Sequence, residues 1–180
     1  MISVISYYIS LGIHILIFIS VYYYCIKIYG IKTTIITNLL LSSMILVMIF
    51  TGAYGIATLA TDLNINYFWI TDPISFFTFF ILIFELARYS LKKNKGTIKK
   101  LKDIICVSIL TSIYGICFQL IVDPTAAALG HYFFLDPPSV NIFGFPLWFI
   151  FSFSVYGLIG MIFLLIERYF TIKEINNLHL

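Results

Sequence analysis

The chain has 180 residues, of which 61% are hydrophobic and 11% charged, and its formal net charge is +3. Soluble domains carry roughly 25% charged residues, so this composition excludes a soluble globular fold and predicts that the lipid bilayer is the solvent of the chain. The sequence has no nucleotide-binding loop, metal-ligand spacing, Ser/His/Asp pattern or nucleic-acid patch, and we therefore expect no cofactor, no metal ion and no nucleic-acid partner.

The sequence predicts an all-α, polytopic membrane helix bundle that forms a single domain over residues 1–180. A spanning helix needs about 20 predominantly apolar residues. Runs of this kind cover residues 3–26, 35–57, 73–91, 104–122 and 145–166. The first run lacks a basic segment and a small-residue cleavage site, so we interpret it as a retained helix and not a signal peptide.

The positions of the basic residues predict the orientation of these segments. All 11 Lys and Arg residues lie in the first loop, in or beside the third loop, or in the C-terminal tail. Cytoplasmic loops carry the Lys/Arg excess, so we expect a multi-pass protein of the cell membrane with its N-terminus outside and its C-terminus inside. Glu85 and Arg88, three residues apart near the cytoplasmic end of the third segment, predict a local ion pair.

Three aspartates on the predicted outer side each precede a proline: Asp72, Asp123 and Asp136. Asp caps helix N-termini, and Pro fits the first helical position. Capping therefore explains Asp72 at the start of the third segment. Asp123 can likewise cap a short helix that Gly130 closes, and Asp136 is typical of a plain turn.

Asp123 also has an interpretation as an acid. Gln119 lies one turn before it and Tyr114 two turns and a little more, so we expect all three residues on one side of the fourth helix. An ionisable residue at the end of a span tends to face a bundle interior or a wet cavity. Desolvation there favours the protonated carboxylic acid that a general acid requires.

Two further polar residues are candidates beside Asp123. His131 lies at the predicted outer edge, where it would assist proton transfer or lie among lipid headgroups. Tyr54, in TGAYGIAT (51–58), is flanked by small residues that also let helices pack closely. Trp148 fits the aromatic belt found at membrane interfaces. Both the structural and the functional interpretation of these residues stay open.

Four segments carry a family resemblance: TGAYGIATL (51–59), DPISFFTFFILIFELARYSL (72–91), DPTAAALGHYFF (123–134) and IFGFP (142–146). In order and spacing, over roughly residues 45–165, they resemble the carotenoid biosynthesis membrane-protein family. That family includes the bacterioruberin-type and terminal carotenoid hydratases. The resemblance implies a membrane-embedded, cofactor-independent hydratase that adds water to a terminal alkene of a carotenoid or isoprenoid chain.

The resemblance, together with the residues around Asp123, implies a set of site residues. Asp123 is the expected proton donor, and His131 or Tyr54 would position the water. Gly144 and Pro146 would shape the wall of the pocket. We expect them to contact the substrate together with the remaining candidates: Trp148, Tyr114, Gln119 and Asp72.

The chain also departs from the family pattern, which keeps a second function open. The family's Asn-Phe-x-Gly-Trp run is replaced by LWFIFSF (147–153), and LLLSSMILVMIF (39–50) lacks the family's membrane glutamate. These departures favour a non-enzymatic, lipid-binding or accessory membrane protein whose Asp-Pro pairs are caps and turns. Convergence of Asp123, His131 and Tyr54 around an enclosed cavity would favour the enzyme.

Overall fold

The computed structural model describes residues 4–50, 68–93, 98, 100–128, 141–142, 145–146 and 154–177. Within these ranges the fold is helical, and the all-α class is confirmed. Five helices and one antiparallel pair of two-residue strands follow in chain order: α1 (Val4–Tyr29), α2 (Ile31–Phe50), α3 (Phe68–Ser90), α4 (Leu101–Ala128), β1 (Asn141–Ile142), β2 (Phe145–Pro146) and α5 (Val155–Asn177).

The connection between α1 and α2 is a single residue, shorter than the loop that the sequence predicts. Gly30 has a φ of +85°, a left-handed conformation that ends α1. Its N–H donates to the Ile26 carbonyl at 3.1 Å, and its own carbonyl accepts from the Thr34 N–H at 3.2 Å. One glycine thus closes the first helix and opens the second, so α2 begins at Ile31 instead of residue 35.

The two Asp-Pro pairs that the structure describes lie inside helices, and both capping predictions are wrong. Helix α3 begins at Phe68, so Asp72 is in its second turn instead of at its N-cap. Helix α4 continues through Asp123 and Pro124 to Ala128. Proline removes one helical hydrogen bond, but membrane helices tolerate that loss because neighbouring groups can satisfy the freed carbonyl.

Two of the described helices contain a segment long and apolar enough to cross a membrane. Gly12–Tyr29 in α1 has a mean hydropathy of 1.5, and Leu101–Ile121 in α4 has one of 2.2. Only 11% and 33% of these segments are buried inside the protein, so neither is enclosed as the core helix of a soluble domain would be. Large apolar side chains also face outward elsewhere, such as Leu39, Leu82 and Leu158.

The centre of the bundle is a cluster of aromatic rings built on α3. Phe77, Phe80 and Phe84 recur at three- and four-residue spacing, which puts them on one face of the helix, and all three are fully buried. Phe163 of α5 packs edge-on against Phe84 with the ring centroids 5.1 Å apart. Tyr29 of α1 packs edge-on against the same Phe163 at 4.6 Å. The cluster therefore joins three helices.

Helices α4 and α5 approach each other through small residues. Gly157 lies directly against the Ser108 carbonyl and the Ser112 side chain, and a Cβ added at Gly157 would overlap both. The Ser112 hydroxyl donates to the Ser154 carbonyl at 2.8 Å, just before α5 begins. Small residues at such a crossing allow two backbones to come close, as membrane helix pairs commonly do.

The basic residues of the described ranges gather at one end of the bundle. The Lys93 ammonium pairs with the Asp103 carboxylate at 3.0 Å, which links the end of α3 to the start of α4. The Lys32 ammonium lies over the Phe170 ring, 5.6 Å from its centroid, and so links the start of α2 to the end of α5. We call this end of the bundle the basic end.

Replacing Gly157 with Ala should be the most damaging of three equivalent glycine substitutions. The new methyl group would overlap the backbone of α4, and overpacking of this kind costs about 3 kcal/mol. Gly160→Ala would place its Cβ 3.4 Å from Phe84, an ordinary contact, and should cost less than about 1 kcal/mol. Thermal unfolding of the detergent-purified variants measures the order.

Gly12→Ala is the matched control, because nothing lies within 4 Å of a Cβ at Gly12. Alanine favours the helix over glycine by up to about 1 kcal/mol, so this variant should be as stable as the parent or slightly more so. Equal stability of the Gly157 and Gly12 variants would contradict the close crossing of α4 and α5.

Candidate functional site

Helix α4 presents a buried stripe that leads towards the candidate acid. Four residues of α4 share one helix face, because they are seven, four and four positions apart. All four are buried: Ile104, Thr111, Gly115 and Gln119. Gln119 is a polar residue, yet only 8% of it is exposed. Because α4 is unbroken, Asp123 occupies the next position on the same helix face, one turn beyond Gln119. The predicted shared side of Gln119 and Asp123 therefore follows from the helix register.

Tyr114 does not belong to that face, and its predicted grouping with Gln119 and Asp123 is wrong. Five residues along a continuous α-helix rotate the side-chain direction by roughly 140°, which separates Tyr114 from Gln119. The Tyr114 hydroxyl instead donates to the Ser90 hydroxyl at 2.9 Å, at the end of α3. Tyr114 therefore ties α4 to α3, on a different side of the helix from the candidate acid.

The other predicted site residues lie partly or wholly outside the described structure. Asp72 belongs to α3 and Pro146 to β2, where Pro146 is the register partner of Asn141, but their side chains lie outside the described set, as does that of Asp123. The remaining four candidates lie outside the described residues altogether: His131, Tyr54, Gly144 and Trp148. Their convergence on Asp123 stays a prediction.

A polar cluster near the basic end is described completely. The predicted ion pair between Glu85 and Arg88 is confirmed, with the Arg88 Nη2 atom 2.9 Å from Glu85 Oε2. The Tyr29 hydroxyl of α1 donates to the other carboxylate oxygen, Oε1. The Glu85 carboxylate thus accepts from two helices at once, and it joins α1 to α3.

This cluster is enclosed by the aromatic core. The Arg88 and Glu85 side chains are only 11% and 21% exposed, and the Arg88 guanidinium lies 5.5 Å from the centroid of the Tyr29 ring. Its Nε atom is buried without a hydrogen-bond partner among the described residues. The carboxylate neutralises the guanidinium, and the cluster links α1 to α3.

Sequence reasoning missed Tyr29, because the third partner comes from another helix. Glu85 and Arg88 are neighbours on one helix and can be paired from their spacing. Tyr29 is the last residue of α1, immediately before Gly30, and the apolar run was expected to end at residue 26. A glycine that stops a helix was the available signal, since it would have carried α1 to Tyr29 and so to the same end as Arg88.

Comparison of the chain with protein-family models, with curated proteins and with solved structures gives no match in any of the three. Among the residues whose side chains the structure describes, no three His, Cys, Asp or Glu residues form a group that could hold a metal ion.

Glu85→Gln should destabilise the protein strongly. The substitution keeps the shape of the side chain but leaves the enclosed Arg88 guanidinium without its counter-charge, a loss that costs roughly 3–5 kcal/mol in buried pairs. Tyr29→Phe removes one hydrogen bond to a charged group and should cost about 2 kcal/mol. Thermal unfolding in detergent measures both, and the double variant should cost less than the two single variants together.

Asp103→Asn is the control for this series, because the two carboxylates are similarly enclosed but the cation differs: Lys93 is 34% exposed and Arg88 only 11%. Partly exposed pairs contribute less than about 1 kcal/mol. If Glu85→Gln were no more destabilising than Asp103→Asn, the Glu85 carboxylate would not be the group that holds α1 against α3.

Proposed function

We propose that this chain is a multi-pass membrane hydratase that adds water to a terminal alkene of a carotenoid or isoprenoid chain. The observation that carries the proposal is the unbroken course of α4 through Asp123. It extends a buried helix face, with the enclosed polar side chain of Gln119, to the position of the candidate acid. The resemblance of residues 123–134 and 142–146 to the hydratase family supplies the reaction.

The proposed reaction needs one proton donor and one water molecule. The protonated Asp123 carboxyl donates its proton to the less substituted carbon of the terminal double bond, and the alkene π electrons form the new C–H bond. The resulting tertiary carbocation accepts an electron pair from the water oxygen. The oxonium then loses a proton to the Asp123 carboxylate, which restores the acid and leaves a tertiary alcohol.

The length of α4 fits this chemistry. From Leu101 to Asp123 the helix rises by roughly 33 Å at 1.5 Å per residue, and the hydrocarbon core of a bilayer is about 30 Å thick. If the basic end lies at one membrane surface, Asp123 lies near the other. A span end at a membrane surface provides an apolar slot for the polyene chain and an entry for water.

We further propose that all five helices span the cell membrane, with the N-terminus outside and the C-terminus inside. The gathering of Lys32, Arg88 and Lys93 at one end supports this topology, because basic residues mark the cytoplasmic side. The outward-facing apolar side chains and the two long apolar helices support a lipid environment.

Cysteine labelling tests this topology. In a variant with Cys25, Cys106 and Cys117 replaced by Ala, a cysteine introduced at Lys95 should react with a membrane-impermeant maleimide only after the cells are opened. A cysteine introduced at Asp136 should react in intact cells. Labelling of both positions in intact cells would contradict the five-span topology.

Product analysis tests the hydratase. Co-expression of the chain in a host that makes an acyclic carotenoid should yield a lipid heavier by one water, detected by mass spectrometry of the extract. Asp123→Asn cannot donate the proton, so product should fall at least about 100-fold while the protein still inserts. Asp136→Asn is the matched control, an aspartate that also precedes a proline, and should leave product unchanged.

Each outcome of this experiment has a defined meaning. Undiminished product from Asp123→Asn would remove Asp123 as the acid while keeping the hydratase. An unchanged pigment profile with inserted parent protein would remove acyclic carotenoids as substrates. That result would favour the non-enzymatic, lipid-binding or accessory protein that the missing family Asn and Glu residues indicate.

A further inference from the structure

A groove near the basic end has the shape and chemistry of a lipid site. It lies between α2 and α5, has a volume of about 360 Å³, and falls in the range of ligand pockets, roughly 300–1,000 Å³. Apolar and aromatic side chains line it: Ile36, Ile162, Leu165, Ile166, Tyr169 and Phe170. The walls suit a hydrocarbon chain and offer almost nothing for a polar ligand to bind.

The groove has a direction, because its two ends differ in chemistry. Ile162 and Leu165 lie towards the middle of α5, whereas Tyr169 and Phe170 lie towards its C-terminal end. Tyr169 is 61% exposed, and tyrosine at the end of an apolar segment is typical of the membrane–water interface. A chain in the groove would therefore have its polar end beside Tyr169 and Phe170.

Positive charge lies at that polar end. The exposed Lys32 has its ammonium 5.6 Å from the centroid of the Phe170 ring, at the margin of the groove. Lys173 follows one turn after Tyr169 on the groove face of α5, whereas Glu167 and Glu174 lie more than roughly 90° round the helix from the centre of that face. Lys32 therefore lies at the mouth of the groove, and the helix position of Lys173 is on the same side of α5.

We propose that this groove binds one anionic phospholipid of the leaflet at the basic end, with a hydrocarbon chain between α2 and α5 and the phosphate beside Lys32 and Lys173. Basic pockets between membrane helices on the cytoplasmic side bind anionic headgroups in this way. The site lies at the opposite end of the bundle from Asp123, so it is independent of the proposed hydratase activity.

Native mass spectrometry of the purified full chain in a nonionic detergent tests the proposal. The chain is titrated with dioleoyl phosphatidylglycerol or with dioleoyl phosphatidylcholine, which have the same chains and differ in headgroup charge. One phosphatidylglycerol should bind at least about fivefold more tightly than phosphatidylcholine, and Lys32→Gln should lower this preference about fivefold. Lys27→Gln is the control, since the Lys27 ammonium also lies over an aromatic ring, that of Tyr23, but away from the groove.

A second pair of variants tests the groove itself. Leu165→Trp fills the groove from a position that is 44% exposed, and it should weaken binding of both phospholipids at least about fivefold. Leu82→Trp makes the same change at a 52% exposed position on α3 and should leave binding unchanged. If Leu165→Trp fails to fold, Lys32→Gln and Lys27→Gln decide alone.

Three results would overturn the proposal: equal binding of the two phospholipids, equal effects of the two lysine variants, or unaffected binding in folded Leu165→Trp. Displacement of phosphatidylglycerol by an acyclic carotenoid, with no effect of Lys32→Gln, would also overturn it and assign the groove to a polyene. Since the readout is lipid binding, failure here leaves the product analysis of Asp123→Asn unaffected.

Discussion

The Glu85 carboxylate is the point on which the arrangement of the helices depends. It accepts from Arg88 on its own helix and from the Tyr29 hydroxyl of α1. In a bundle surrounded by lipid there is no hydrophobic force that drives one helix against another, because lipid chains are as apolar as leucine. Close packing and directional polar contacts between helices therefore select one arrangement among many.

The aromatic core surrounds the contact between Tyr29 and Glu85. Tyr29 donates through its hydroxyl to Glu85 while its ring packs against Phe163, so one residue belongs to the polar cluster and to the apolar core. Rings meeting edge-to-face at such distances contribute about 0.5–1.5 kcal/mol beyond burial. The crossing of α4 and α5 uses the opposite means, because Gly157 has no side chain and lets the two backbones come together.

The sequence predicted the features that repeat along the chain and missed those that bring distant segments together. Apolar runs of spanning length overlapped all five helices, and the Glu85–Arg88 spacing predicted their ion pair. The fifth run, 145–166, was about ten residues too early at each end, because Phe145 and Pro146 belong to β2 and α5 covers Val155–Asn177. Helix ends were less predictable, because an Asp-Pro pair fits either a cap or a helix interior. In a lipid environment the helix interior is tolerated, since backbone hydrogen bonds within the helix are strongly favoured. Both such pairs, at Asp72 and Asp123, lie within helices.

In the candidate site, too, some relations between residues were predictable from the sequence and others were not. The relation of Gln119 to Asp123 was predictable because it depends only on helix periodicity. Tyr114 was wrongly included, because a residue five positions from Gln119 does not share its face in a helix of 3.6 residues per turn. The contact of Tyr114 with Ser90 depends on how α3 and α4 are aligned, which a near-uniform apolar pattern does not encode. The groove was not predictable for the same reason. Ile36 and Ile162 lie far apart in sequence, and nothing in the sequence distinguishes them from the other isoleucines.

Under the proposed function the two ends of the bundle have different tasks, and α4 connects them. At its start, Asp103 is held to Lys93 near the end of α3, where the charges suit a membrane surface rich in anionic groups. Roughly 33 Å further along the same rigid helix lies Asp123, on the face that buries Gln119. The proposed general acid must carry a proton, and a nearby cation would favour the ionised form of a carboxyl group. The proposed topology and the proposed acid make the same demand, because basic residues gathered at one end would orient the chain in the membrane and would also lie far from Asp123.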